Sequence, residues 1–392
     1  MGKQASRPTD TNALVGSGSS SIPQIARAGR VGPAYAARSP VNLLGGLSMS
    51  ARFHRAQLLV VAFGLLVTVS AAEAQSAVAK VGARHSVTVV VRELGPLVAG
   101  GSSTAVSINN RGAVVGEATT ETGRFIPFLW TPQRGFDRIL GDVRGFARDI
   151  NDAGDVIGIY FSTDDDLEPG KGFLWSTTHG FVDLGDFEPQ AINNRGQIAG
   201  TCRPVLRACL WEHGVVTRLG VLPGHQFSMA FGISDRGHVV GQSFGAGEGG
   251  LAFVWKPRTG MVALESPAGS VAALGINNRG QMAGTMSTST GLRAVVWSKE
   301  GLIVRLGPAD DFTTSGPINA RGWVIGHQSV RSFVWLPSGE MHILGDPGTI
   351  AIGRGINNRG QVAGYIDGGD DPTSRPTAVV WTVRASNSQT AP

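Results

Sequence analysis

The chain has 392 residues, 56 of them glycine, with 16% charged residues and a formal net charge of +5. Glycine at this frequency without a collagen-like period, together with Val, Ile and Trp, indicates many short strands and tight turns, and no long stretch has the apolar spacing of a helix. Several basic residues precede a predicted cleavage site and no basic run alternates with aromatic residues, so nucleic acid is excluded as a predicted partner.

The first recognisable element is an apolar run at residues 58–72, which is uncharged and follows two arginines. The run is too short for a membrane span, which needs about 20 residues. It leads into an Ala-Glu-Ala motif before Gln75, the small-x-small pattern of a signal-peptide cleavage site. We therefore predict a signal peptide at residues 49–74, an extracytoplasmic bacterial location, and no stable membrane span in the mature chain.

Residues 1–48 precede this signal and are rich in Ser, Gly, Ala and Arg without periodicity. Two interpretations are open: the true start is Met49, or the segment is a disordered extension and the apolar run is an uncleaved anchor. Met49 is preferred because it leaves a basic leader of ordinary length. Residues 75–86 are a predicted linker, and residues 385–392 are a predicted disordered tail.

A phrase close to Ile-Asn-Asn-Arg-Gly recurs seven times at a spacing of about 42 residues, a length typical of a four-stranded propeller blade. Asn-Asn-Arg-Gly fits a type I turn closed by a glycine at positive φ, which joins two strands, a and b, into a hairpin. A second glycine follows four residues after the first. The isoleucines that open the seven units are Ile108, Ile150, Ile192, Ile233, Ile276, Ile318 and Ile356.

Each unit continues with a short apolar strand c that ends in tryptophan and a strand d that ends in leucine. Six d strands follow the first six of these tryptophans, and none follows Trp381. The missing strand is predicted at residues 87–94, before the first isoleucine. We therefore predict an all-β, seven-bladed propeller of four-stranded antiparallel blades over residues 87–384, in which the N-terminal strand completes the last blade.

These units resemble the bacterial extracellular HAF-repeat family, whose unit contains Ile-Asn-x-x-Gly-x-Val-Val-Gly, then His-Ala-Phe-x-Trp and a final Leu-Gly. The resemblance covers residues 87 to about 383. It implies a propeller-like architecture and no catalytic residue, and the histidine of the family motif is absent from every copy. The middle motif stands here as RACLW at 207–211, LAFVW at 251–255 and RAVVW at 293–297.

The two faces of the predicted disc differ in loop length. The a–b turns are all alike and the c–d spacing varies little, whereas the b–c and d–a connections vary widely. Variable loops on one face of a rigid scaffold are typical of a binding surface. We call the a–b side the constant face and the other side the variable face. The candidate ligand-binding acids of the variable face are Asp164, Asp165, Asp166, Asp310, Asp311, Asp367, Asp370 and Asp371.

The constant face carries arginine at the third turn position in six copies, predicted to ring the axial opening. A solvated surface role competes with an anion-binding ring for these residues. Trp323 follows the sixth turn and is predicted to be exposed beside this ring. The arginines are Arg111, Arg195, Arg236, Arg279, Arg321 and Arg359.

Cys202 and Cys209 are the only cysteines, and we predict a hairpin disulfide between them because a metal pair lacks further ligands. No serine-hydrolase elbow, zinc-protease motif or phosphate loop occurs. The sequence therefore predicts a monomeric, non-enzymatic binding module with no cofactor or metal. Its predicted ligand is a protein, a glycan or a cell-envelope component bound on the variable face. The alternatives are a hydrolase or lyase with its site over the axial channel, and a passive surface component.

Overall fold

A computed structural model describes the chain from residue 87 to residue 385, with several gaps in the loops. Every regular element in this part of the chain is a β-strand, and it contains no helix long and apolar enough to cross a membrane. The predicted leader and linker lie outside the described residues, as does the predicted tail except for Ala385, which ends the last strand. The described residues are 87–163, 169–178, 180–245, 249–266, 269–298, 301, 303–307, 313–368 and 374–385.

The strands form seven antiparallel blades, as predicted from the seven repeats. Blades 1 to 5 are separate four-stranded sheets, and blades 6 and 7 are joined by one parallel bridge between Arg331 and Ala351. Four d strands end one or two residues before the leucine that the sequence predicts as their end. The strands of blades 1 to 3 are β2 (Ser103–Ile108), β3 (Val114–Thr119), β4 (Phe125–Thr131), β5 (Gly135–Arg138), β6 (Gly145–Ile150), β7 (Val156–Tyr160), β8 (Lys171–Ser176), β9 (Gly180–Gly185), β10 (Phe187–Ile192), β11 (Ile198–Cys202), β12 (Arg207–Glu212) and β13 (Val215–Gly220).

The remaining blades follow the same order of strands a, b, c and d from the axis outwards. Blade 7 takes its outer strand from the N-terminal end of the described chain. The strands of blades 4 to 7 are β14 (Phe227–Ile233), β15 (Val239–Phe244), β16 (Leu251–Lys256), β17 (Gly260–Ala263), β18 (Val271–Ile276), β19 (Met282–Thr288), β20 (Gly291–Trp297), β21 (Ile303–Arg305), β22 (Thr313–Ile318), β23 (Val324–Gln328), β24 (Arg331–Trp335), β25 (Met341–Ile343), β26 (Ile350–Ile356), β27 (Gln361–Asp367), β28 (Thr377–Ala385) and β1 (Val87–Gly95).

The ring closes where β1 pairs antiparallel with β28. Val87 lies opposite Ala385 and Val91 lies opposite Trp381. This pairing confirms the closure predicted from the missing seventh d strand. The first and last described strands therefore pair with each other. Neither leaves an unpaired edge at the seam of the ring, where a strand of another molecule could add.

The a–b hairpins have the predicted turn geometry in all seven blades. In blade 1, the Gly112 amide donates to the Asn109 carbonyl at 3.1 Å, and Gly112 has a φ of 85°. The other six glycines at this position also have positive φ, a conformation that glycine adopts without steric cost. The first repeated glycine is thus explained by the turn itself.

The second repeated glycine is explained by a close approach of strand a. A Cβ at Gly116 would lie 1.9 Å from the Thr104 carbonyl oxygen, and one at Gly364 would lie 2.0 Å from the Ile352 carbonyl oxygen. Such distances exclude any side chain. In six blades the approach occurs where strand a loses its regular register with strand b, whereas a Cβ at Gly326 of blade 6 would meet the Phe333 ring at 2.1 Å.

This loss of register is a β-bulge that the sequence did not predict. In blades 1 to 5 and in blade 7, the residue two before the repeated isoleucine has no partner on strand b. In blade 6 both Gly316 and Pro317 lack one. We call the residue two before the isoleucine the bulge position. Its occupants, in blade order, are Val106, Arg148, Gln190, Phe231, Leu274, Gly316 and Arg354.

The hydrophobic core lies between blades, and the repeated tryptophans contribute to it as expected. Trp297 of blade 5 is fully buried and packs with Val240 and Val254 of blade 4. Trp381 of blade 7 is 1% exposed and packs with residues of blade 6. Large aromatic rings at one strand position thus fill the space between adjacent sheets.

Trp323 contradicts its predicted exposure. The side chain is 7% exposed and belongs to the same cluster as Trp381. The position after the turn glycine lies in the space between blades, so an aromatic ring there is covered by the neighbouring blade. Arg321 stacks on its ring with the guanidinium carbon 5.3 Å from the ring centroid.

The predicted disulfide between Cys202 and Cys209 is present, and it lies in blade 3. The two Cα atoms are 5.9 Å apart, and both cysteines are buried. The bond links the adjacent strands β11 and β12 across their short connection.

Candidate functional site

The axial opening on the constant face is a polar pocket of about 190 Å³. Each blade contributes the repeated isoleucine and the two residues that follow it. We call these two residues the first position and the rim position. The seven rim residues are Asn110, Asp152, Asn194, Asp235, Asn278, Ala320 and Asn358.

The first position joins each blade to the next through its carboxamide. The Nδ2 of Asn109 donates to the carbonyl of Asn151 at 2.9 Å, and Asn357 donates back to the carbonyl of Asn109 at 3.0 Å, which closes the circle. The Oδ1 of Asn109 accepts from two amides of its own turn. Only blade 4, which has Ser234 here, lacks the described carboxamide bond to its successor.

The rim position forms a second circle of bonds. The amide of Asn110 donates to the Oδ1 of Asp152 at 2.8 Å, and the amide of Asn358 donates to the Oδ1 of Asn110 at 2.8 Å. Six of the seven junctions have this bond. The exception among the described residues is the Asn278 amide, because the next rim residue is Ala320, which has no acceptor.

These two circles give the repeated Asn-Asn a structural role beyond the turn. The carboxamide at the first position accepts from amides of its own turn and donates to a carbonyl of the next blade. The side chain at the rim position accepts from an amide of the previous blade. Most polar atoms of the axial pocket are therefore engaged within the protein. The sequence revealed the turn, but not these bonds between blades, because they join residues about 42 positions apart.

The six turn arginines are all exposed on the constant face, one residue beyond the rim position. They are not among the residues that line the axial pocket. One of them, Arg195, donates to the Asp235 carbonyl of the next blade at 3.3 Å. Anion binding by this ring stays a prediction.

Most of the candidate acids of the variable face lie outside the described residues. Asp367 alone is described, and it is half-buried at the end of β27. The described residues contain no group of three or more His, Cys, Asp or Glu side chains that could hold a metal. The acids outside the described residues are Asp164, Asp165, Asp166, Asp310, Asp311, Asp370 and Asp371.

Two of the bulge positions, on the innermost strands of blades 2 and 7, hold arginine. Burial lowers the pKa of Arg148, Glu188 and Glu117 oppose this effect, and Arg354 lowers the pKa further. Arg148 lies on blade 2 and Arg354 on blade 7, with blade 1 between them. The charge of Arg354 thus acts on Arg148 although blade 1 lies between their strands. We call Arg148 and Arg354 the channel arginines.

Neither channel arginine has a described carboxylate as an ion-pair partner. The Nε atoms of both are buried, and no hydrogen-bond acceptor is described for them. The nearby acids are engaged elsewhere: Glu117 accepts from the Thr104 hydroxyl at 3.0 Å, and Glu188 pairs with Arg203 at 2.5 Å. Arg354 also lies over the Tyr365 ring, 5.5 Å from its centroid.

Asp149, beside the first channel arginine, links three blades. It accepts the Ser107 hydroxyl of blade 1 at 2.6 Å and the Ile192 amide of blade 3 at 2.9 Å. Burial raises the pKa of Asp149, against these two bonds and a third from the Ile150 amide. All three described hydrogen bonds of the carboxyl group are to the protein itself, so its role is to connect the blades.

Two histidines pair with serines, but both serines are inaccessible. The Nδ1 of His327 lies 2.8 Å from the Ser332 hydroxyl, and that of His225 lies 3.1 Å from the Ser243 hydroxyl. Ser332 and Ser243 are both 0% exposed. Burial and the charge of Arg354 lower the pKa of His327 to about 4, so this ring is neutral at pH 7.

A larger groove of about 800 Å³ lies between blades 1 and 2. Much of its lining belongs to the d–a connection of blade 1 and the b–c end of blade 2, which are parts of the variable face. Phe181 and Val143 are 46% and 41% exposed there. Tyr160 packs edge-on against Phe181 with the ring centroids 5.2 Å apart. We call this the blade 1–2 groove.

Polar groups accompany these apolar surfaces in the blade 1–2 groove. Arg124, Asp142 and Ser162 contribute to its lining. Burial and a hydrogen bond with Asp183 raise the pKa of Tyr160. Sequence reasoning missed the groove, although an aromatic pair at the start of a long b–c loop was a usable signal.

Comparisons with known proteins support the fold alone. The structure is similar to virginiamycin B lyase from Staphylococcus aureus, with a TM-score of 0.51 and 9% identity over 75% of this chain and 99% of that chain. It is also similar to puromycin hydrolase, with a TM-score of 0.50 and 12% identity over 72% of this chain and 53% of that chain. No protein-family model and no curated protein matches the sequence. The HAF-repeat resemblance therefore stays a prediction.

Proposed function

We propose that this protein is an exported, non-enzymatic β-propeller of the HAF-repeat type that binds a glycan in the blade 1–2 groove. The observation that carries the proposal is the combination of exposed aromatic surface and polar groups in one groove. Binding sites are typically concave, mostly apolar, and contain a few polar groups that orient the ligand. A sugar ring offers an apolar face for Phe181 and hydroxyls for the polar lining.

The location of the groove supports this choice. It adjoins the connections whose length varies from blade to blade, and such loops on a rigid scaffold commonly carry binding functions. The axial pocket is less suitable, because the asparagine circles already use most of its polar atoms. Export is supported by the predicted signal peptide, and the disulfide adds weak support because such bonds persist in oxidising compartments.

The alternative, a hydrolase or lyase with its site over the axial channel, has weaker support. Both described Ser–His pairs have a fully buried serine, which a substrate cannot reach. The lyase and hydrolase activities belong to proteins of 9% and 12% identity, too distant for their chemistry to be transferred.

The proposal is tested by screening the purified full chain on a panel of bacterial surface glycans. Phe181→Ala removes the exposed ring and is expected to weaken binding of any captured glycan at least about tenfold, as expected for an aromatic contact residue. Val262→Ala is the matched control, because this valine is 51% exposed on blade 4, away from the groove. Absence of any bound glycan, or equal binding by Phe181→Ala, would overturn the proposal.

Export is tested separately by expressing the full chain in a bacterium and measuring the mass of the protein outside the cytoplasm. We expect a mature chain that begins at Gln75. A protein retained in the cytoplasm with its leader intact would contradict this part of the proposal.

A further inference from the structure

The channel arginines are two half-buried positive charges without described ion-pair partners. A buried charge is unfavourable unless it is paired and hydrogen-bonded. Arg148 and Arg354 have buried Nε atoms with no described acceptor. The two carboxylates whose charges act on Arg148 are bonded elsewhere, Glu117 to Thr104 and Glu188 to Arg203. The two guanidinium groups also repel each other across the axis. An arrangement of this kind is stabilised by a bound anion.

The geometry of a guanidinium group indicates what kind of anion fits. Its N–H donors form a planar fork that matches the oxygens of a carboxylate or a phosphate. The Arg354 guanidinium carbon lies over the Tyr365 ring, 5.5 Å from its centroid, in a cation–π contact. One oxyanion can accept from two such forks.

The other bulge positions describe the rest of the ligand. Blades 4 and 5 have Phe231 and Leu274 at the position where blades 7 and 2 have the channel arginines, and both side chains are half-buried. With seven blades around one axis, blades 4 and 5 lie opposite blade 1, which separates the two arginines. The bulge positions are thus cationic on one side of the axis and apolar on the other.

We propose that the axial channel binds a small organic anion, with its carboxylate or phosphate group held by Arg148 and Arg354 and its apolar part facing Phe231 and Leu274. This site is separate from the blade 1–2 groove, so either can be lost without the other. It also differs from the exposed turn arginines, because Arg148 and Arg354 are half-buried and their Nε atoms are buried.

The test measures binding of phenylacetate and phenyl phosphate to the full chain by calorimetry at low ionic strength. Phenylacetamide is the neutral probe of the same shape. We expect at least one anionic probe to bind, and phenylacetamide to bind at least about tenfold more weakly, as expected when charge-assisted hydrogen bonds are lost. Failure of both anionic probes to bind, or equal binding of phenylacetamide, would overturn the proposal.

Variants assign the binding to the channel arginines. Arg148→Gln and Arg354→Gln are each expected to weaken binding about tenfold or more, and Arg148→Lys, which keeps the charge but lacks the fork, to lie in between. Arg279→Gln is the matched control, because this arginine is exposed on the constant face. Unchanged affinity in both channel variants would overturn the assignment.

Thermal unfolding separates a binding role from a purely structural one. Without anion, Arg148→Gln should melt at the same temperature as wild type or higher, because a repulsive buried charge is removed. With saturating anionic probe, wild type should gain stability by mass action and the variant should not. A variant that is destabilised by the same amount with and without the probe would show that Arg148 is structural, and a variant that fails to fold is replaced by Arg354→Gln in the same comparison.

Discussion

At the residue scale, the repeated asparagines account for the regularity of the molecule. Each first-position asparagine forms two kinds of hydrogen bond with one side chain. Its oxygen accepts from amides of its own turn, and its nitrogen donates to the next blade. The positions that break the pattern, Ser234 and Ala320, therefore mark the junctions with fewer bonds. They also offer a direct test of how much each bond contributes.

Ala320→Asn should complete the circle at the rim position. The new Oδ1 would accept from the Asn278 amide, as the rim side chains do at the other junctions. We expect the free energy of unfolding to rise by about 0.5–1.5 kcal/mol, the net value of one such hydrogen bond. Denaturant unfolding measures the change.

The matched control for this prediction is Asn358→Ala, which removes the acceptor that the Ala320 amide now uses at 2.8 Å. It should lower the free energy of unfolding by about 1 kcal/mol. If Asn358→Ala is destabilising but Ala320→Asn has no effect, the prediction is contradicted, because the added acceptor for the Asn278 amide would then contribute no stability.

His327 should make the protein less stable as the solution becomes acidic. Its folded pKa of about 4 lies below the ordinary value of 6.5, so between these values the unfolded chain binds the proton more readily. Stability is therefore fully present above about pH 6.5 and decreases as the pH falls towards about 4. His327→Gln should reduce this dependence, as measured by unfolding at several pH values.

The comparison between wild type and His327→Gln is needed because Asp149 acts in the opposite direction. Burial raises the pKa of Asp149, so its contribution to stability decreases as the pH rises. An NMR titration of the His327 ring gives an independent answer: a midpoint near 6.5 would contradict its burial beside Arg354.

At the scale of elements, the closing strand β1 packs against the hydrophobic core with one of its two faces. Val89 packs into the cluster of blades 6 and 7, whereas Val90 on the same strand is 52% exposed. This alternation is that of a strand with one covered side. It provides a matched pair of substitutions for testing the closure.

Val89→Asp should lower the free energy of unfolding by about 2 kcal/mol or more, because it places a charge against an apolar cluster. Val90→Asp should change it by no more than about 0.5 kcal/mol, as for an ordinary surface substitution. Thermal and denaturant unfolding measure both. Equal effects of the two variants would indicate that β1 does not pair in this register.

The disulfide is the second element-scale constraint. It closes a loop of sequence separation 7, for which the chain-entropy model gives about 2–3 kcal/mol. Cys202→Ala combined with Cys209→Ala should lower the free energy of unfolding by about this amount. Reduced wild type should behave like the variant, and identical unfolding of oxidised and reduced wild type would contradict the estimate.

At the scale of the whole molecule, the sequence predicted the architecture well because repetition made each blade visible seven times. The number of blades and the strand that closes the ring both followed from counting. The buried position of Trp323 did not, because Gln, Asp, His or Ala occupies that place in other blades and resembles surface composition.

The interior of the channel was invisible for a related reason. The bulge position holds Val, Arg, Gln, Phe, Leu, Gly or Arg in successive blades, so no repeated residue marks it. Its importance depends on a shift of register between strands a and b, and that shift is a property of backbone pairing. The sequence alone therefore does not mark Arg148 and Arg354 as anion-binding residues, because their relation depends on the closed ring.

The pairing of Val87 with Ala385 means that the polypeptide enters and leaves the disc at one point. A host protein could carry the entire disc as an insertion within a single surface loop, since the two attachment points would be separated by little more than the width of a hairpin. The same arrangement would let the disc be inserted into different host proteins without a change in the fold of the disc or of the host.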